Sequence, residues 1–232
     1  MRISVIIPVH NGAKTLGKTL ASLFAQTRQP DEVIVVNDRS TDDFRSVIQP
    51  YAERLTLLDS PRVGAAAARN VGVAHATGDV FFFCDADLAL EPQLLERLVV
   101  ALEKDLEAAF AYCAFRWNEK IFAQRAFDPI AMRWNNYIST MSLVRRAAFP
   151  GFDEALSRFQ DWDLWLTVIE RGGRGISVSD VLFSVIKDGT MSRRGGLSRL
   201  RATAQIRRKH RLPWRFSDVW LALKESIRAR RV

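Results

Sequence analysis

Carboxylates stand at three places in this chain where their spacing could serve chemistry. Residues 80 to 88 read VFFFCDADL, so Asp85 and Asp87 flank one small Ala86 directly after an apolar run. Two carboxylates held so close repel each other, and a hard cation bridged to a phosphate relieves that repulsion. The pair therefore reads as a site for a divalent metal and a nucleotide diphosphate, although a solvated acidic loop capping the helix after Pro92 would use the same residues. Asp38 follows a second apolar run, EVIVVN, where it could accept a hydrogen bond from a base or a ribose. Asp161 and Asp163 form a further pair in FQDWDLWL. One of them could reach a cleft as a general base, while an acid at a helix start also serves as an N-cap. Arg69 stands out within AAAARNVGVAHA, and its planar fork suits a diphosphate as well as it suits open solvent on an amphipathic helix.

These groups need elements that bring them together. The run 80–84 is continuously apolar and rich in aromatic side chains, as expected of a strand buried on both faces of a parallel sheet. In open α/β sheets the ligand crevice lies outside the carboxyl ends of the strands, which is where Asp85 and Asp87 fall. Ahead of it come a strand over 3–9, a helix over 13–26 carrying Leu16, Leu20, Leu23 and Phe24, and a strand over 32–36. Strand, helix, strand is a βαβ unit. Ser40 or Thr41 is expected to cap the next helix, with Asp42 and Asp43 in its first turn. A third strand over 55–58, a tight Ala-rich helix over 65–76 and a helix over 91–103 follow. Between 108 and 144 two apolar runs read as strands, with Trp117, Phe122, Phe127, Trp134 and Tyr137 either stacking on an acceptor or filling the core. Trp162, Trp165, Leu166 and Ile169 mark a helix from about 161 to Gly172-Gly173, before short strands at 176–178 and 181–186.

Composition bounds the rest. At 232 residues, 48% apolar and 26% charged, the chain suits one large domain with an extension. No stretch approaches the length of a bilayer span, and Met1-Arg2 leads straight into a strand, so a cytoplasmic protein is expected. Cys84 and Cys113 sit in apolar runs without CxxC spacing, as buried reduced thiols do. The net charge of +8 is uneven: residues 193–232 hold 13 Lys+Arg against two acids, which leaves −3 for residues 1–192. The division expected is a core domain over 1–192 and a basic helical extension over 193–232. Phe216, Val219, Trp220, Leu223 and Ile227 fall on one side of its last helix. That helix could lie peripherally on anionic lipid or pack on the domain. Nucleic-acid binding has only charge in its favour and is not expected.

Taken in order, the motifs ISVIIPVHNGAKTL (3–16), VIVVNDRSTD, VGAAAARNVGVAHATGD, FFFCDADL, GFDEAL and QDWDLWL resemble those of an inverting glycosyltransferase of family two, over about residues 1–190. Bacterial cell-surface polysaccharide enzymes are the kind implied. The resemblance implies the GT-A fold, a mixed, mostly parallel sheet flanked by helices. It also implies a nucleotide-sugar donor and a glycan or lipid-linked acceptor. Pro8, Val9 and His10 would line the nucleoside pocket, Asp38 would bind the base, and Arg69 would approach the diphosphate. Asp85 would hold the ribose or sugar, Asp87 a divalent metal, Mn²⁺ or Mg²⁺, and Asp161 would be the catalytic base. An acid opposite the base edge favours uracil or thymine, with guanine open. Three positions depart from the pattern: Asn37 and Gln160 replace acids, and 187–190 lacks a His.

Two other classes stay in view. A sugar-phosphate nucleotidyltransferase would release pyrophosphate, yet no glycine-rich triphosphate loop follows the first strand. A non-catalytic module of the same fold would dock on membrane or polyanion through its basic tail.

Overall fold

In β1 (Ile3–Val9) every residue is buried, because helices cover both faces of the sheet to which it belongs. Ile3, Val5, Ile7 and Val9 face one apolar cluster and Ile6 the other. The same alternation runs through β2 (Glu32–Asn37) and β4 (Val80–Phe83), where Phe82 joins the first cluster and Phe81 and Phe83 the second. The computed structural model describes residues 1–186 and 196–213. Its remaining elements are α1 (Ala13–Phe24), α2 (Phe44–Ile48), β3 (Thr56–Asp59), α3 (Ala65–His75), β5 (Leu88–Leu90), α4 (Leu94–Lys104), β6 (Ala108–Trp117), β7 (Lys120–Phe122), α5 (Pro129–Trp134), β8 (Leu143–Arg145), α6 (Gln160–Glu170), β9 (Arg174–Val185) and α7 (Gly196–Lys209).

The described strands form one sheet in the order β3-β2-β1-β4-β8-β6-β9-β5, with β7 beside β6. From β3 to β4 all pairings are parallel. The carboxyl ends of these strands therefore meet at one edge, bringing Val9, Asn37, Asp59 and the residues after Phe83 together. Beyond β4 the sheet mixes directions: β8 runs antiparallel to β4 and β6, and β9 parallel to β6. Helices α1 and α4 cover one face; α3, α5, α6 and α7 cover the other.

Several local features differ from expectation for identifiable reasons. Asp43, not Ser40 or Thr41, caps α2 through Ser46 N, and Asp42 accepts the Ala13 N–H at 2.7 Å at the start of α1. Ser40 instead donates to the Val9 carbonyl and so fastens its loop to the end of β1. Leu88 to Leu90 form a short strand against β9, three residues being too few to carry a period. Helix α4 accordingly starts at Leu94. Of the apolar run 138–144, only the end enters the sheet, because Ser142 N bonds back to the Thr140 carbonyl at 2.7 Å. The two short strands expected near 180 are one strand, β9. Its pairing shifts register at Cys113/Ala114, and Arg97 holds Asp180 outside the ladder at 2.6 Å.

Both cysteines are free and buried, and burial pushes the Cys113 thiol up to about 12. Most of the aromatic segment is internal: Phe127 packs on Phe110, and Phe122 stacks on Phe115, while Trp134 is exposed. Among the described residues no helix is long and apolar enough to cross a membrane. Within the basic segment 193–232, the described residues include α7, whose Ala202, Ile206 and Arg207 are buried. The helix expected around Phe216 to Ile227, and the loop 187–190, lie outside the described residues.

Helix α3 lies close on β1 because Gly72 has no side chain; a Cβ there would stand 2.5 Å from Ile6 Cγ2 and 3.3 Å from Val36 Cγ2. Alanine at 72 should therefore destabilise the fold by about 1–3 kcal/mol through overpacking, outweighing a helix-propensity gain of about 1 kcal/mol. Urea denaturation midpoints of the two proteins measure this.

Candidate functional site

The parallel edge is organised by hydrogen bonds that leave little freedom to its loops. Asn37, at the end of β2, donates to Asp59 Oδ1 at 2.7 Å and accepts the Ser40 N–H at 2.8 Å. A carboxylate at 37 would instead face Asp59 with like charge, which gives a physical reason for the amide. Asp38 N donates to the Val9 carbonyl at 2.7 Å. The buried Asp38 carboxylate accepts the Gly64 N–H with both oxygens, at 2.8 and 3.0 Å. Gly64 holds φ at +120°, a backbone that side chains disfavour, and this turn aims the uncapped start of α3 at the cleft. His10 Nδ1 lies 2.6 Å from the Asp38 carbonyl; that partner only accepts, so Nδ1 carries the proton and Nε2 is left as an acceptor.

Arg69, although only 6% exposed, is charged and must be paired. Its guanidinium donates to Asp85 Oδ1 at 2.6 Å and to Gln160 Oε1 at 3.0 Å, and lies 5.3 Å over the Phe152 ring. Among the described residues its buried Nε has no hydrogen-bond partner. Gln160 is fixed in turn by its own Nε2, which donates to the Leu156 carbonyl at 2.8 Å. Arg69 thus ties the end of β4 to the first residue of α6.

Asp161, the next residue, sits where protein surrounds its carboxylate while the cleft still admits solvent. Burial raises its pKa; the Trp162 N–H at 2.9 Å, the Asn136 side chain and the Arg69 charge oppose that shift. Asp163, two residues on, is engaged elsewhere, by Lys209 at 2.9 Å and His210 at 2.8 Å. Asp87 is half-buried, and its carboxyl is pushed up to about 6, first by burial and then by Asp85. A cation there would offset both effects. Among the described residues no group of three or more His, Cys, Asp or Glu side chains could hold a metal ion, and Asp85 and Asp87 offer a pair of carboxylates. Such a donor set fits a hard cation that takes its other ligands from phosphate and water.

A cleft of about 690 Å³ joins these groups. His10, Asp38, Gly64, Arg69, Gln160 and Asp161 line it, together with Thr140 and the loop 154–159. Of the residues singled out in the sequence, His10, Asp38, Arg69 and Asp161 therefore share one wall system. Asp85 reaches it through Arg69. Pro8 and Val9 are buried at the end of β1, and neither they nor Asp87 stand on the cleft's walls. Sequence reasoning passed over Asn136, Thr140 and the part played by Gln160. A glutamine before the acid pair was visible, but nothing in its spacing tied it to Arg69.

Comparisons with known proteins agree with this architecture. The family model described as Glycosyl transferase family 2 matches residues 4–156. An uncharacterised glycosyltransferase of Rickettsia prowazekii (strain Madrid E) is 32% identical over 182 residues, covering 70% of this chain and 57% of that protein. The chain spans about a third to three fifths of the length of several curated relatives it matches. Among solved structures, S. aureus TarS 1–349 in complex with UDP-GlcNAc superposes with a TM-score of 0.75 at 19% identity, covering 89% of this chain and 65% of that one. A mannosyltransferase from Pyrobaculum calidifontis, in complex with GDP-Man and Mn²⁺, superposes at 0.71 with 22% identity, covering 97% and 69%. The fold is therefore the GT-A type of nucleotide-diphospho-sugar transferases.

Asp85→Asn leaves the buried Arg69 hydrogen-bonded only to neutral groups, with the Asp161 carboxylate the remaining charge acting on it. Because Asp85 is itself partly exposed, the expected loss is about 1–3 kcal/mol of folding free energy, less than for a fully buried pair. Arg69→Met/Asp85→Asn should recover much of that loss in a double-mutant denaturation cycle.

Proposed function

We propose, from the premise that the chain belongs to Glycosyl transferase family 2, that it moves a sugar from a nucleotide-diphosphate donor, with inversion, to a hydroxyl of a glycan or lipid-linked acceptor. The observation that carries this reading is the single cleft joining Asp38, Arg69 and Asp161. Its volume of about 690 Å³ suits a nucleotide sugar.

Each residue then has a task its surroundings allow. Asp38 keeps lone pairs beyond those used by Gly64 and would accept an N–H of the base, which favours uracil. His10 would present Nε2 towards the nucleoside. Arg69 would carry positive charge to the diphosphate side while anchored by Asp85. Asp87, with Asp85 beside it, would hold the Mn²⁺ or Mg²⁺ ion. Bound there, the ion supplies charge against the departing diphosphate.

Asp161 would take the proton of the attacking hydroxyl. A base serves well when its pKa approaches the working pH, and burial raises this one in that direction. Trp162 N–H, Asn136 and Arg69 oppose that rise by favouring the carboxylate, the form that accepts a proton. Displacement from the side opposite the leaving group inverts the anomeric carbon.

The domain division remains part of the proposal: a catalytic unit over 1–192 and a basic extension from 193. Residues 214–232, with five Lys+Arg against two acids and with Phe216 and Trp220, would supply peripheral contact with the inner face of the cytoplasmic membrane.

Release of UDP from UDP-GlcNAc in the presence of Mn²⁺ tests the base. Asp161→Asn should lower it by about 10²–10⁴-fold while calorimetric UDP affinity is kept; normal turnover would remove Asp161 from the mechanism. Asp87→Ala should abolish the Mn²⁺-dependent part of UDP binding, and unchanged metal dependence would place the ion elsewhere.

A further inference from the structure

Two acids stand two residues apart at the start of α6, and only Asp161 lines the cleft. Asp163 is 2% exposed and holds the chain's C-terminal segment: Lys209 Nζ donates to it at 2.9 Å and His210 Nε2 lies 2.8 Å away. His210 Nδ1 lies 2.9 Å from Glu170 Oε1, about two turns further along the same helix. A neutral imidazole has a single N–H, so a ring with carboxylate oxygens at both nitrogens is an imidazolium clamped across α6. Lys209 also reaches Asp153 at 2.8 Å, in the loop that leads into the cleft wall. Arg207 is buried over the Trp162 ring, and Arg199 lies 5.9 Å from Phe159.

The entry to α6 is strained. Phe159, its N-cap, sits at φ +58°, a left-handed backbone that an aromatic side chain rarely adopts. Such a conformation persists only where the surroundings impose it. On one side Arg69 holds Gln160; on the other, α7 and residues 209–210 hold Asp163.

We infer that Asp163, gripped by Lys209 and His210, is a positioning residue for Asp161, so that the segment 196–213 braces the start of α6 and sets the general base in the cleft. The inference rests on the reading of Asp161 as that base. The brace depends on pH. Burial disfavours the His210 charge, but hydrogen bonds to Asp163 and Glu170 and their charges outweigh it, and the pKa is raised. Lys209, Arg207 and Asp153 are the other charged groups around the contact. A raised folded-state pKa stabilises fully below the unfolded value, near 6.5, and the contribution is lost as pH rises through the folded value.

The test compares wild type, His210→Gln and Glu170→Gln from pH 5 to 9. Glu170 is partly exposed, so that variant alters the clamp without removing a buried group. Two quantities are read: hydrogen-exchange protection of amides 160–166, and UDP release from UDP-GlcNAc with Mn²⁺. In the wild type both should fall together as His210 deprotonates. In Glu170→Gln the fall should move to lower pH. In His210→Gln turnover should be lower than wild type by on the order of 100-fold at pH 5, as expected for a base displaced by about 1 Å, and the gap should close as pH rises and wild type loses its own clamp, with UDP affinity unchanged throughout. Superimposable pH profiles of protection in wild type and Glu170→Gln would overturn the inference, even if His210→Gln failed to fold or turnover were too slow to follow. Normal turnover by Asp161→Asn would sink the base reading instead; an inactive Asp161→Asn beside clamp variants of wild-type profile would keep the base and remove the brace.

Discussion

The guanidinium of Arg69 is the constraint on which the rest of the site depends. A charge almost removed from water must be paired, and its partners come from separate parts of the chain: Asp85 after β4, Gln160 at the start of α6, and the Phe152 ring. Meeting that requirement fixes how far the strand edge lies from the helix that carries Asp161. The same charge opposes the desolvation of Asp161 and favours its ionised form. One buried cation thus shapes the cleft and also acts, alongside the Trp162 N–H and Asn136, against the effect of burial on its candidate base.

Neighbouring acids in this chain have divided tasks because backbone geometry separates them. At about 100° per residue, Asp161 and Asp163 point roughly 200° apart on α6, one to the cleft and one to α7. Asp42 and Asp43 divide likewise, the first accepting from α1 and the second capping α2. Pairs of acids invite a reading as metal ligands or catalytic dyads. Asp85 and Asp87 follow a strand end and share no helix turn, so no such division separates them.

What could be read from sequence followed burial. The runs of β1, β2 and β4 are apolar throughout because both faces are covered, and continuous runs announce themselves. Asp38 and Asp85 stood out because they follow such runs, and Asp161 because it opens a helix with a tryptophan face. The structure places His10, Asp38, Arg69 and Asp161 on one cleft. Short elements were not legible: β5 has three residues, and β9 hides a register shift behind Ser179-Asp180. Nor were contacts set by tertiary packing, such as Asn136 on Asp161 or Gln160 on Arg69. The basic character of the extension suggested lipid or solvent, yet Arg207 and His210 are among its most buried residues, placed there by Trp162 and by carboxylates of α6.

The most direct measurement is a crystal structure with UDP-GlcNAc and Mn²⁺. The account predicts the uracil against Asp38, the ion at Asp87, and the anomeric carbon facing Asp161 across the cleft. Nucleotide bound away from Asp38, or a sugar whose anomeric carbon is turned from Asp161, would contradict it.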